Sequence, residues 1–283
     1  MWPVVVLVRA ATRLAGVAAA RHLRQATAAG GAVAAWHLLP SALVLGSWTG
    51  ARELPGICRW RGPDRPHART GRGTVAITFD DGPSEESTPM ILDRLDELGL
   101  CATFFCLGAM VDRAPELVME IQRRGHAVGT HGYSHRPHLL RSPAWVLRDL
   151  ASATGSLRAA GITPRWFRPP YGVVTGSTLL AARREHLEVV LWSSWGREWA
   201  DPSAERVLAR IVKGIGPGSI VLLHDADTTS PPGTWKITHE VLGSLADQLH
   251  LRELDAVTLD TLIGPDRRSR TEGDEARLDT AGK

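Results

Sequence analysis

Residues 74–83 read Thr-Val-Ala-Ile-Thr-Phe-Asp-Asp-Gly-Pro, an alternating apolar run that ends in two adjacent carboxylates. The alternation predicts a strand, and Gly82 with Pro83 predicts a sharp turn directly after it. Successive strand side chains point to opposite faces of a sheet, so Asp80 and Asp81 are expected to differ in role. One suits a metal and the other suits proton transfer, although Asp-Asp-Gly-Pro is also an ordinary turn sequence.

Four later apolar runs also end in polar clusters. The clusters are His131 with His135, residues 168–172, Glu198 with Trp199, and His224 with Asp225. Active sites of barrels built from alternating strands and helices lie at the carboxyl ends of the strands. The repetition therefore favours one shared site over five unrelated turns.

Strand-length apolar runs alternate with segments of helical period over most of the chain. The predicted strands lie near 74–79, 101–106, 126–130, 165–168, 187–192, 218–223 and 256–259. A helix is predicted after Ser87-Thr88-Pro89, where a hydroxyl cap precedes a proline in the first turn. This alternation predicts a parallel sheet with enough units to close into a barrel.

The five clusters, in this order, resemble the motifs of the polysaccharide deacetylases of carbohydrate esterase family 4. The matching segments are 78–81, 131–135, 168–172, 198–199 and 222–225. The resemblance extends over about residues 74–262, and the motifs together are highly specific. It implies an α/β fold, a distorted (β/α)7 barrel, to which this chain would add N-terminal helices.

The composition fits one catalytic domain with additions. Of 283 residues, 43% are hydrophobic and 22% are charged, and the formal charge of +3 comes from scattered basic residues. That distribution argues against nucleic-acid binding. The three cysteines, at positions 58, 101 and 106, have no repeating spacing and do not predict a disulfide framework.

Four regions are predicted along the chain. Residues 1–50 form a hydrophobic helical segment, either a membrane anchor or a cap packed on the catalytic domain. Residues 51–73 are predicted to be a linker, 74–263 the polysaccharide deacetylase domain, and 264–283 a charged disordered tail. We expect a cell-envelope or membrane-associated enzyme, with a cytoplasmic location as the alternative.

His131 and His135 lie four residues apart, a spacing that lets two imidazoles approach one ion. With Asp81 they would give two nitrogens and one oxygen, and three protein ligands with an open position describe a catalytic zinc site. The alternative is a pair of surface histidines in a loop that also contains His126 and His138. We expect one divalent metal, with Zn2+ as the first choice, although the same ligands accept cobalt, nickel or iron.

The resemblance also implies roles for the other polar residues. Asp80 matches the base that accepts a proton from a metal-bound water, and His224 matches the acid that protonates the leaving amine. Arg168 matches the residue that pairs with the base. Tyr171 matches the residue whose backbone N–H helps to hold the oxyanion.

The fourth motif departs from the family pattern. The family has Asp-x-x-Asp-Trp, and this chain has Trp-Gly-Arg-Glu-Trp at residues 195–199. Glu198 keeps a carboxylate on a longer side chain and is predicted to orient His224. The pairing is expected to be imperfect, because the longer side chain must fold back, or the backbone must retreat, to keep hydrogen-bond distance to the imidazole. Trp195 cannot replace a carboxylate. Trp192, Trp195 and Trp199 belong either to the core or to a surface that stacks on a sugar.

The predicted function is hydrolysis of N-acetyl groups on the amino sugars of a polysaccharide or glycan. The expected partner is therefore a carbohydrate that bears N-acetyl groups, with membrane association through residues 1–50 as a further expectation. Two alternatives are a deformylase or amidase for a non-polymeric or lipid-linked substrate, and an inactive carbohydrate-binding relative. The retained acids and histidines argue against the inactive relative.

Overall fold

The computed structural model describes residues 35–38, 53–54, 58–59 and 66–264 of the chain. Among these residues, no helix combines the length and the apolar character needed to cross a bilayer. The predictions for residues 1–50 and 264–283 fall outside the described residues, apart from a helical turn at 35–38 and from Gly264.

The sheet contains ten strands within the described ranges. They are β1 (Glu53–Leu54), β2 (Cys58–Arg59), β3 (Gly73–Asp80), β4 (Ala102–Cys106), β5 (Ala127–Thr130), β6 (Trp166–Phe167), β7 (Glu188–Val190), β8 (Ser194–Trp195), β9 (Ile220–His224) and β10 (Leu254–Ala256). Their order is β1-β2-β7-β6-β5-β4-β3-β9-β8, and β10 pairs with β3. All seven strands from β7 to β8 run parallel. The predicted (β/α)7 architecture is confirmed.

Eight helices follow or cover these strands in the described part of the chain. They are α1 (Thr88–Leu98), α2 (Gly108–Val111), α3 (Pro115–Arg123), α4 (Pro143–Ala159), α5 (Gly176–Arg184), α6 (Ala204–Gly214), α7 (Thr234–Leu251) and α8 (Leu259–Ile263). Helix α1 begins with a proline in its first turn, as predicted, but the Ser87 hydroxyl makes no capping hydrogen bond. The helix ends at Gly99, whose φ of 62° is the left-handed conformation that glycine adopts without strain.

Two strand predictions need correction. The seventh parallel strand of the barrel is β8, which was not predicted, because two residues show no periodicity and the strand exists through its pairing with β9. The strand predicted near 256–259 lies at Leu254–Ala256 and pairs with the start of β3. In addition, β1 and β2 lie inside the segment predicted as a linker, and β2 pairs with β7.

The central strand β3 is buried on both of its faces. Val75, Ala76, Ile77 and Phe79 are all inaccessible to solvent, which is the usual state of a strand in a parallel sheet covered by helices. The Phe79 ring lies 4.9 Å from that of Phe104 on β4. Burying each large apolar side chain stabilises the fold by about 1.5–3 kcal/mol. The core therefore fixes the strand that ends at Asp80 and leads directly into Asp81.

Candidate active site

The predicted site residues meet at one face of the barrel. Asp80 is the last residue of β3, and His224 is the last residue of β9, its neighbour in the sheet, where the two are register partners. His131 directly follows β5 and Arg168 directly follows β6. Because parallel strands end on the same side of a sheet, residues far apart in sequence share one cleft.

Asp81, His131 and His135 place three possible ligand atoms within 4.8 Å of one another. The Oδ1 atom of Asp81 lies 3.6 Å from Nε2 of His131 and 3.4 Å from Nε2 of His135. Burial lowers the pKa of both imidazoles, and it does so strongly for His131. Both rings are therefore favoured in the neutral form, which is the form that binds a metal.

Neighbouring groups orient these atoms. The Nδ1–H of His131 donates to the carbonyl oxygen of Arg168 at 2.7 Å, which leaves Nε2 as the lone-pair nitrogen. The Thr229 hydroxyl donates to Oδ2 of Asp81, whereas the buried Oδ1 atom has no hydrogen-bond partner in the described part of the chain. A buried, unpaired carboxylate oxygen that faces two imidazole nitrogens fits a divalent cation.

Distance to His131 alone does not separate the two aspartates, because Oδ2 of Asp80 also lies 3.6 Å from its Nε2 atom. Two other contacts separate them. His135 approaches Asp81, and Arg168 donates from Nη1 to Oδ1 of Asp80 at 2.8 Å. Asp80 therefore already has a cationic partner, whereas the free oxygen of Asp81 is available to a metal.

The guanidinium of Arg168 is fully buried and held on several sides. Its Nη1 atom also donates to the Thr78 hydroxyl, its Nη2 atom donates to the Leu191 carbonyl, and its Cζ atom lies 4.2 Å from the Phe105 ring centre. Burial lowers the pKa of Arg168, and the charge of Asp80 opposes that effect. Removing one partner of a buried ion pair typically costs about 3–5 kcal/mol.

Glu198 and His224 form the predicted pair. Oε1 of the buried Glu198 accepts a hydrogen bond from Nδ1 of His224 at 2.7 Å, so the pair keeps an ordinary hydrogen-bond distance despite the longer side chain. Arg197 adopts the left-handed conformation with φ of 62° and leads the chain into a 3-10 turn at Glu198–Ala200. The left-handed residue lies directly before the glutamate, so we attribute the accommodation of its longer side chain to the backbone.

The environment of His224 favours its protonated form. Burial lowers the pKa of His224, but the charge and hydrogen bond of Glu198, with help from Asp81 and Asp80, raise it to about 9. The edge of Trp199 packs against the imidazole, with ring centres 5.1 Å apart. The site thus favours the neutral form of His131 and His135 and the protonated form of His224.

Tyr171 lies in a 3-10 turn at Pro170–Gly172 with a left-handed φ of 59°. The residue is 55% exposed, and its ring packs against His135, with ring centres 4.5 Å apart. The residue therefore stands at the rim of the cleft beside the His135 ligand position. Left-handed conformations of residues other than glycine are concentrated at functional sites.

The three tryptophans of the fourth motif region form a half-buried row. Trp192 lies 5.7 Å from Trp195, and Trp195 lies 5.4 Å from Trp199, measured between ring centres. His126 and His138 stay outside the site. His126 Nδ1 accepts from the Ala102 amide, and His138 Nδ1 bonds to the Thr178 hydroxyl.

Three residues near the site carried no sequence signal of their role. Thr229 lies in a Thr- and Ser-rich loop, and Asp149 lies within helix α4, so neither follows a strand. Asp225 was noticed only as the neighbour of His224. It is buried beside Gly82, accepts from the Thr88 hydroxyl, and has a pKa that burial raises to about 7.

A parallel barrel with paired carboxylates, clustered imidazoles and a buried Arg–Asp pair at its strand ends has the groups that a metal-assisted hydrolase needs. The family model described as polysaccharide deacetylase matches residues 67–190. A chitooligosaccharide deacetylase of Bradyrhizobium sp. (strain ANU 289) is 39% identical over 167 residues, which are 58% of this chain and 74% of that protein.

A peptidoglycan-N-acetylglucosamine deacetylase of Bacillus cereus is 34% identical over 194 residues, covering 68% of this chain and 69% of that protein. A crystal structure of a peptidoglycan N-acetylglucosamine deacetylase bound to 4-naphthalen-1-yl-N-oxidanyl-benzamide aligns with a TM-score of 0.66 and 29% identity, over 75% of this chain and 94% of that one. The chain belongs to the polysaccharide deacetylase family. It is a hydrolase of carbon–nitrogen bonds other than peptide bonds.

Proposed function

We propose that the chain removes N-acetyl groups from amino sugars of a glycan, with the help of one divalent metal. The observation that carries this proposal is the convergence of Asp81, His131 and His135 on one point, beside the clamped Asp80. The names of the relatives, which specify chitooligosaccharide and peptidoglycan, support an N-acetylated carbohydrate as the substrate class.

Asp81, His131 and His135 would hold the metal, and their ligand set favours zinc. When bound, such a cation acidifies water and polarises a carbonyl oxygen. The hydrogen bonds on Asp81 Oδ2 and His131 Nδ1 leave Oδ1 and Nε2 as the atoms that would bind the cation. The backbone N–H of Tyr171 is assigned to the oxyanion of the tetrahedral intermediate.

Asp80 and His224 would move the protons. Asp80 accepts a proton from the attacking water through Oδ2, because Arg168 occupies Oδ1. His224 donates a proton from Nε2 to the leaving nitrogen, because Glu198 accepts the Nδ1–H. The C–O bond to the attacking water forms first and gives the tetrahedral intermediate; the amide C–N bond then breaks as His224 protonates the nitrogen, and the products are acetate and a free amino sugar. A pKa of about 9 keeps His224 protonated at neutral pH.

The test is acetate release from N-acetylglucosamine oligomers and peptidoglycan fragments, with metal analysis of the same samples. Asp80→Asn should retain the metal and lose activity by about 10²–10⁴-fold, because it removes a base and not a ligand. His131→Ala and His135→Ala should lose both metal and activity.

Four results would change the assignment. Loss of metal in Asp80→Asn would make Asp80 a ligand, and wild-type metal content in both histidine variants would refute the ligand set. Formate release without acetate release would indicate the deformylase alternative. Tight glycan binding without turnover by the wild type would indicate an inactive relative.

A further inference from the structure

The loop of residues 131–135, here called the ligand loop, carries two proposed metal ligands that are held in different ways. The His131 ring is fixed through its Nδ1–H, which donates to the Arg168 carbonyl. The buried Nδ1 atom of His135 has no hydrogen-bond partner among the residues that the structure describes. The position of the His135 ring therefore depends on its packing against Tyr171 and on the backbone that precedes it.

That backbone is held by a carboxylate from another element. Asp149, in helix α4, is 8% exposed and accepts two hydrogen bonds from the ligand loop. Its Oδ2 atom accepts from the Tyr133 amide at 2.9 Å, and its Oδ1 atom accepts from the Ser134 hydroxyl at 2.7 Å. Tyr133 and Ser134 are the two residues directly before His135.

The rest of the loop is shaped to approach Asp149 closely. Gly132 has a left-handed φ of 84°, and a side-chain carbon there would lie 3.0 Å from Oδ2 of Asp149. The carbonyls of Gly132 and Tyr133 accept from the amides of Gly108 and Ala109 at the start of α2. The amides of helix α2 thus bind the carbonyl groups of the ligand loop, and the Asp149 carboxylate binds the N–H and O–H donors of the same loop.

We propose that Asp149 is a positioning residue that sets the place of His135 and thereby the affinity for the metal. This inference rests on the metal site of the proposed function. A carboxylate makes stronger hydrogen bonds than a neutral acceptor, and its loss would leave the partly buried Tyr133 amide without this partner. Changing groups that orient a metal ligand typically weakens metal binding by about 10–100-fold.

The experiment compares Asp149→Ala and Asp149→Asn with the wild type in the full chain. The dissociation constant for Zn2+ is measured by competition with a chromophoric chelator, and thermal unfolding is measured with and without Zn2+. Asp149→Ala should weaken Zn2+ binding by about 10–100-fold and reduce the rise in Tm that Zn2+ produces. The dissociation constant of Asp149→Asn should lie between those of the wild type and Asp149→Ala, because its NH2 group replaces one of the two accepting oxygens and cannot accept a hydrogen bond.

Two control variants separate positioning from general stability. Thr154→Val removes a buried hydroxyl from the same helix, where it donates to Glu185 and not to the ligand loop. It should lower Tm equally with and without Zn2+ and leave the dissociation constant unchanged. Tyr133→Phe removes the exposed hydrogen bond from the ligand loop to Asp112, and it should bind Zn2+ as the wild type does.

Asp149 variants that bind Zn2+ with wild-type affinity would overturn the inference, as would an unchanged Zn2+-dependent rise in Tm. If the wild type also binds Zn2+ and releases acetate from glycans, only the role of Asp149 fails. A wild type that binds no divalent metal would overturn both this inference and the metal site on which it rests.

Discussion

The hydrogen bond between Glu198 and His224 shows how a single residue change is absorbed within the site. The family pattern places an aspartate where this chain has the longer glutamate, and the distance to Nδ1 is nevertheless 2.7 Å. The left-handed Arg197 directly before it turns the backbone at that point. The pair therefore keeps both its orientation and its charge, and these two contributions can be separated by substitution.

Glu198→Gln tests the charge while keeping an oxygen that can accept the Nδ1–H. A catalytic acid must be protonated, so kcat/KM should fall as pH rises through the pKa of His224, which Glu198 helps to raise to about 9. A cation bound beside Asp81 lowers that value, so the alkaline limb should lie at or below about 9. Without the Glu198 charge, burial dominates, and the limb should move toward or below the ordinary imidazole value of about 6.5.

The pH dependence of kcat/KM is measured for both proteins at saturating Zn2+. Metal content serves as the control, because Glu198 lies outside the ligand set and its substitution should leave the metal in place. Glu198→Asp should keep the alkaline limb close to that of the wild type, since it keeps the charge. An alkaline limb that Glu198→Gln does not move would show that another group sets the pKa of His224.

The sequence predicted the site residues that directly follow a strand. It did not predict the residues that support the site through hydrogen bonds to distant parts of the chain. Asp80, Asp81 and His224 end apolar runs, and the structure brings them to one face. Thr229 and Asp149 act through hydrogen bonds to residues that are distant in sequence, and no local pattern reports such contacts. Residues that support a site through such hydrogen bonds are therefore not predictable from a single sequence.

At the level of elements, the strands with clear apolar runs were placed within two residues at each end. The exceptions are β8 and β10. Ser194–Trp195 is too short for periodicity, and its conformation comes from parallel pairing with β9. The strand predicted near 256–259 was displaced because its apolar residues, Ala256, Val257 and Leu259, continue past the end of the ladder between β10 and β3. Tertiary pairing, and not local propensity, sets these two boundaries.

The turn after β3 packs closely against Asp225, the residue that follows β9. A side-chain carbon on Gly82 would overlap the Asp225 carboxylate, with Oδ1 only 2.6 Å away. Gly82→Ala should therefore destabilise the protein by about 1–3 kcal/mol through overpacking, and it should shift the turn that carries Asp81. The free energy of unfolding is measured by urea denaturation after metal removal, so that metal binding does not contribute.

A double-mutant cycle identifies the cause. Asp225→Ala removes the carboxylate that Gly82→Ala would meet, although it also removes the hydrogen bond from Thr88. If the two groups clash, the double variant should lose less stability than the sum of the single variants. Additive losses would show that the cost of Gly82→Ala arises from the backbone and not from Asp225.

At the scale of the whole molecule, the sequence predicts that the N-terminal segment is either a membrane anchor or a cap packed on the catalytic domain. The described turn at 35–38 lies against helix α5. Nδ1 of His37 lies 2.9 Å from the Ser177 hydroxyl, and Trp36 packs on Gly176. Composition could not predict this contact, because the fit depends on a glycine that is 140 residues away from Trp36 in the chain.

Trp36 lies so close to Gly176 that an alanine at position 176 should act differently from an alanine at Gly155. At Gly176 a side-chain carbon would overlap the Trp36 carbonyl and lie 2.7 Å from the indole, whereas at Gly155 in α4 it would meet nothing within 4 Å. Gly155→Ala should stabilise its helix by about 0.5–1 kcal/mol.

Gly176→Ala should instead weaken the docking of the turn by about 1–3 kcal/mol, which corresponds to roughly a 5- to 150-fold rise in its open population. Hydrogen exchange of the peptide that contains residues 35–38 measures that population in the full chain. Faster exchange in Gly176→Ala alone, with the core peptides of β3 unchanged, is the expected result. Equal exchange in the two variants would mean that the turn is not held at Gly176.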